Sequence, residues 1–153
     1  MDAIQGTYPF ETFDFKGFMQ EKRFVLVDVK ANYEYDEQKG GYDKDKFKGL
    51  KLEIEIAQDL MDYQLNKVTK KGVNEKARFQ LIVDDASVEI EDYLDMIGDT
   101  FNPKEVFITE VDSARLRTVS QGKRKLKQLI VIGDISDDSS QSILTDSQSA
   151  VDY

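Results

Sequence analysis

Six bases crowd one short stretch of this chain. Arg115, Arg117, Lys123, Arg124, Lys125 and Lys127 fall within 13 residues, with no acid among them. A run of that kind is a surface for anions, and phosphate is the obvious one. Ser120-Gln121-Gly122 in its middle fits a three-residue hairpin loop with glycine at the left-handed position. That register sets Arg117 opposite Lys125 and Arg115 opposite Lys127. Directly opposed like charges destabilise a sheet, so a sequence that keeps them points to an external counter-charge. The competing readings are a solvated edge hairpin whose lysines block aggregation, or a hairpin neutralised by the chain's own acids.

A second stretch interleaves Tyr33, Tyr35, Tyr42 and Phe47 with Lys39, Lys44, Lys46 and Lys48. Rings beside ammonium groups suit base stacking with phosphate contacts. Asp36, Glu37, Asp43 and Asp45 in the same stretch repel phosphate. Tyr33 falls on an apolar face and is expected to pack in the core. Tyr35 and Tyr42 are the stacking candidates.

Other chemistry is excluded by composition. The chain has no Cys, no His and no Trp. Thiol nucleophiles, zinc clusters, disulfides and His-based triads are therefore absent. Asp84, Asp85, Glu89, Glu91, Asp92, Asp95 and Asp99 make an acidic helix face without the spacing of a ligand cage. No phosphate-cradling glycine motif and no calcium-loop spacing occurs. The expectation is a non-enzymatic protein with no catalytic residue, metal or cofactor.

The elements that must carry these groups follow from periodicity. Residues 24–35 alternate, with Val25, Val27, Val29, Ala31, Tyr33 and Tyr35 on one face and Asp28, Lys30, Asn32 and Glu34 on the other. Residues 47–57 alternate again, with Leu50, Leu52, Ile54 and Ile56 inward and Lys51, Glu53 and Glu55 outward. The polar, glycine-containing stretch between them reads as a loop. Residues 58–75 are ambiguous between helix and turn. Residues 76–84 are a third strand, and 86–97 a short helix capped by Asp85 or Ser87. Residues 104–112 are a fourth strand, followed by the basic hairpin over 114–119 and 123–132.

The 153 residues suffice for one domain. No apolar run approaches the roughly 20 residues of a membrane helix, and the first ten residues lack the basic and apolar regions of a secretory signal. The cytoplasm is the expected compartment. Residues 1–23 form an aromatic-rich arm whose rings are expected to plug one end of the core. Net charge is −9, from 30 acids and 21 bases. Asp134, Asp137, Asp138, Asp146 and Asp152 contribute −5 of it without a base, leaving −4 for residues 1–133. The break at Asp134 predicts a folded domain over 1–133 and a disordered acidic tail over 134–153.

The segment VLVDVKANYEYDE, followed by a charged glycine loop and GLKLEIEI, resembles OB-fold single-stranded-DNA-binding-like proteins of Gram-positive plasmids, phages and conjugative elements. The resemblance implies a mainly β, α+β fold: a five-stranded Greek-key barrel with one helix between strands 3 and 4. It implies binding of single-stranded DNA or RNA in replication or transfer of a mobile element. The acidic tail would then recruit a protein partner, and self-association would add affinity. Cellular single-strand-binding proteins end in an acidic run and Pro-Phe and stack bases on Trp; here the chain ends Val151-Asp152-Tyr153 and has no Trp. The alternative function is an acidic inhibitor whose carboxylates imitate DNA phosphates on a nucleic-acid-binding target.

Overall fold

Alternating apolar residues at Leu50, Leu52 and Ile54, and at Phe79, Leu81 and Val83, dictate strands with one face in a core. In the computed structural model they do so. It describes residues 10–57, 60–61, 63–64, 78–99 and 101–144, without the side chains of 10–12 and 121. The elements are β1 (Phe10–Thr12), α1 (Phe15–Met19), β2 (Arg23–Asp36), β3 (Gly41–Ala57), β4 (Arg78–Val83), α2 (Ile90–Leu94), β5 (Glu105–Gln121) and β6 (Arg124–Ser136), then a 3-10 turn at Ser139–Gln141. The residues of the ambiguous 58–75 stretch mostly lie outside the described ones, as do Tyr8, Asp146 and Asp152.

All six strands share one sheet in the order β1-β5-β2-β3-β4-β6, and β5 also pairs β6. Five strands therefore close into a ring, and the molecule is mainly β and barrel-like. Neighbours run antiparallel except β4 and β6, which run parallel through Leu81↔Val131. The interior holds Phe24, Leu26 and Val29 of β2, Leu50, Leu52 and Ile54 of β3, Val106 and Ile108 of β5, and Leu129, Val131 and Ile135 of β6. Phe15 and Met19 of α1 are buried in this core, Phe15 edge-on to Phe79 at 5.5 Å, while Phe13 and Phe18 pack half-buried against it.

Several expectations about the elements are corrected. The inward face of β2 changes phase. Leu26 pairs Ile54 but Asp28 pairs Glu53, so Val27 is an extra residue. This bulge puts Phe24 and Leu26 inside, although the alternation had assigned Val25 and Val27 there. Tyr35, expected on the inner face, is exposed. The loop between the first two strands is also shorter than the 36–45 stretch suggested. Both strands continue as a ribbon to Asp36 and Gly41, with Tyr35 paired to Tyr42. Gly49 makes the ribbon's bend. Its φ is +145°, and a Cβ there would lie 1.9 Å from the Val83 carbonyl oxygen. The helix over 86–97 shortens to Ile90–Leu94, because Asp85 caps a preceding turn by accepting the Ser87 N–H at 2.9 Å.

The boundary at Asp134 moves as well. β6 runs through Ser136, pairing Asp134 with Glu110 and Ile135 with Ile108. Ile135 is buried, Ser142 is buried, and Ile143 and Leu144 pack half-buried on the core. Asp134 is thus part of the barrel and accepts a hydrogen bond from the Tyr93 hydroxyl at 2.7 Å. Asp137 and Asp138 are exposed after the strand, and Asp138 caps the 3-10 turn through Ser140.

Candidate nucleic-acid interface

Two ribbons rise from opposite ends of the short strand β4. β3 runs antiparallel to β4 with Leu50 at Val83, so residues 41–49 extend past the Val83 end. β6 runs parallel to β4 with Ile130 at Gln80, so residues 124–127 extend past the Arg78 end. Between them, on the outer face of β2, β3, β4 and β6, lies a groove of about 360 Å³. Asp28, Lys30, Lys51, Glu53, Arg78, Gln80 and Gln128 line it.

The first ribbon gives the groove its aromatic end. Lys30 and Lys51 sit directly opposite each other on the outer face. The Lys51 ammonium lies 5.4 Å from the centre of the Tyr42 ring, and Tyr42 meets Tyr35 edge-on at 5.3 Å. The two rings are 58% and 56% exposed. Tyr33 instead packs half-buried and edge-on to Phe47 at 6.2 Å, as its apolar face implied.

The second ribbon carries the six bases in another arrangement than expected. Gly122 (φ +60°) and Lys123 form a two-residue turn, and Gln121 pairs Arg124. Arg117 then faces Gln128 and Arg115 faces Ile130, so the ladder of opposed bases does not form. Paired residues point to one side of a sheet and alternate along the strand. Arg115, Arg117 and Arg124 therefore share the outer face with the groove residue Gln128. Lys125 and Lys127, paired with Ser120 and Thr118, point to the other face. Lys123 is in the turn. β1 lies along this ribbon, with Thr12 at Arg115 and Phe10 at Arg117.

The groove floor is charged but internally compensated. Arg78 donates to Glu53 at 3.0 Å and to Glu55 at 2.9 Å. Burial works against the Arg78 charge, but these two hydrogen bonds outweigh it and raise its pKa. Glu55, expected to point into solvent, is fully buried. The Tyr63 hydroxyl beside it is pushed up to about 12, first by burial and then by the Glu55 charge and hydrogen bond. Lys30 lies 3.8 Å from Asp28, an exposed pair of little energetic weight. Lys30, Lys51, Arg78, Gln80 and Gln128 are groove residues beyond the candidates that the sequence points to. The outward phase of Lys30 and Lys51 was readable, but their juxtaposition depends on the register past the Val27 bulge.

An acidic cluster lies just past the Val83 end of β4, where β6 pairs Asp134 with Glu110. Glu110 has its pKa raised by the neighbouring Asp112 charge and hydrogen bond, with Asp134 and Asp85 adding to it. Tyr93 is raised by burial first and then by Asp134. A carboxyl whose folded-state pKa is raised is most favourable protonated, so its contribution to stability is lost as pH rises through that pKa. Glu110→Gln is accordingly expected to be slightly more stable than the parent at neutral pH. The difference should vanish as pH falls through the carboxylate range, which thermal melts of both proteins at several pH values would show. A gap that widens in acid would contradict the cluster.

Comparison with protein-family models, with curated proteins and with solved structures gives no match for this chain. No group of three or more metal-ligating residues occurs among the described residues. No helix among them is long and apolar enough to cross a membrane.

Proposed function

We propose that this protein is an OB-fold-like barrel that binds single-stranded nucleic acid in the groove between its two ribbons. The observation that carries the reading is the convergence of chemistry there. An exposed tyrosine pair and two directly opposed lysines stand at one end, and an arginine-bearing ribbon face stands at the other. The opposed Lys30 and Lys51 repel each other in the free protein, and a phosphate between them removes that repulsion. Tyr35 and Tyr42 offer ring faces that match unpaired bases, which a duplex keeps stacked. Asp28 and Glu53 on the floor keep phosphates at the rims and leave the floor to base edges. The ring order of β2 to β6, its closure by a parallel pair and the two long ribbons agree with the OB architecture, in which the corresponding loops contact nucleic acid. Asp137 and Asp138, with Asp146 and Asp152 further on, remain the candidate contact for a protein partner.

A fluorescent single-stranded oligonucleotide, titrated at low and moderate salt, tests the reading. With about four phosphate contacts, affinity should fall roughly 50-fold between about 50 and about 200 mM salt. Replacing Tyr35 and Tyr42 together by alanine should weaken binding by about 1–3 kcal/mol for each base stacked, with little change in melting temperature because the rings are exposed. Absence of binding at low salt would overturn the proposal. A second reading, an acidic inhibitor that imitates DNA, has one specific observation in its favour: the carboxylates of Asp112, Asp134 and Asp85 lie near enough to Glu110 to raise its pKa. Competition with a DNA-binding partner, in a protein that itself binds no strand, would favour it.

A further inference from the structure

Phe101 is a large apolar ring held out into solvent, 74% exposed, on a turn that leaves it little freedom. Asp99 Oδ1 accepts the backbone N–H of Phe101 at 2.9 Å and of Asn102 at 2.6 Å. The backbones of Asp99 and Asn102 also bond each other in both directions. Gln64 donates to the Phe101 carbonyl. Gly98 closes the loop so tightly that a Cβ would lie 2.5 Å from the Lys104 nitrogen. An exposed aromatic on a hydrogen-bonded backbone is the kind of anchor that protein contacts use, because the backbone that carries it needs little further ordering when it docks. Leu94, 46% exposed, precedes it, and residues 89–102 carry five acids and no base.

The complementary surface is on the same chain. At the tip of the second ribbon Val119 pairs Leu126, which is 43% exposed, and Arg117 and Arg124 flank this apolar pair on the same face. One surface is an apolar anchor on an acidic segment, with the Lys104 ammonium held on the Asp95 carbonyl at 3.1 Å and the Asp95 carboxylate exposed beside it. The other is an apolar pair among guanidinium groups. We propose that the Phe101 turn of one copy docks on the Val119–Leu126 face of the ribbon of another, with Asp95 and Asp99 meeting Arg117 and Arg124. Both surfaces are small, so the contact is weak and salt-sensitive. Because the two patches differ, it is a head-to-tail contact between copies of this chain. The proposal does not depend on nucleic-acid binding, although a strand held by the outer ribbon face would compete with the second copy.

Sedimentation velocity of the full chain, without nucleic acid, tests it from micromolar to sub-millimolar protein. The parent should associate with rising concentration at low salt and dissociate at high salt. Phe101→Ser and Leu126→Ser should each remain monomeric with unchanged melting temperature, since both side chains are exposed. Mixed together they should form a two-chain species, because one supplies an intact ribbon and the other an intact turn. A parent that stays monomeric at low salt, a variant that associates like the parent, or a mixture that stays monomeric would each overturn the proposal.

Discussion

Arg117→Glu with Arg124→Glu is expected to lower affinity for single strands by roughly a hundredfold, the loss of two charge-assisted contacts worth about 3 kcal/mol together. Lys125→Glu with Lys127→Glu changes net charge by the same amount and should cost only severalfold. The difference comes from the register. Arg117 pairs Gln128, which lines the groove, and Arg124 lies on the same outer face, whereas Lys125 and Lys127 point to the opposite face of the ribbon. Side chains on opposite faces are separated by about one screening length at moderate salt, so shared net charge does not equalise the two variants. The salt dependence of the arginine variant should also flatten, since fewer counterions are released. Equal losses in the two variants would show that the ribbon acts as a diffuse charge without a contacting face. A larger loss in the lysine variant would place the ligand on the other side.

Truncation after Gly133 is expected to cost on the order of 4–6 kcal/mol and to unfold much of the population at ambient temperature. It removes the buried Ile135, the half-buried Ile143 and Leu144, and the Asp134 carboxylate that receives the Tyr93 hydroxyl. A buried hydroxyl left without its acceptor adds to the lost apolar packing. Removal of residues 145–153 alone is the reference. Urea melts of the parent and both truncations measure the effect. Equal midpoints for the two truncations would show that β6 beyond Gly133 contributes nothing to the fold.

That boundary shows where the sequence was a poor guide. Averaged composition past residue 133 is polar and acidic, and it hides Ile135, Ile143 and Leu144. Gly133 weakens the strand signature further. It is needed because β5 passes so close that a Cβ would lie 1.9 Å from the Glu110 carbonyl oxygen. The core phases of β3 and β4 were legible, because their alternation is uninterrupted and their inner positions are all apolar. β2 was legible as a strand but not in its face, since one extra residue at Val27 reverses the phase and the flanking residues are apolar on both sides. The hairpin was legible as a hairpin. Gly-Lys at 122–123 is itself a two-residue turn signature, and counting from it instead of from Ser120 gives the observed pairing. The buried Glu55 was not legible, because its partners Arg78 and Tyr63 come from other segments of the chain. For the candidate interface, the two tyrosines and the basic run were visible as residue types. Their division between faces and the lysine pair of the groove came only with the register.

The central claim is that a single strand lies between the two ribbons. Amide and side-chain chemical-shift mapping of the labelled full chain, titrated with a short single-stranded oligonucleotide, tests it most directly. The account predicts perturbations confined to Lys30, Tyr35, Tyr42, Lys51, Arg117, Arg124 and Gln128, with α2 and the Glu110 cluster unmoved. Perturbations centred on the acidic face, or none at saturating oligonucleotide, would contradict it.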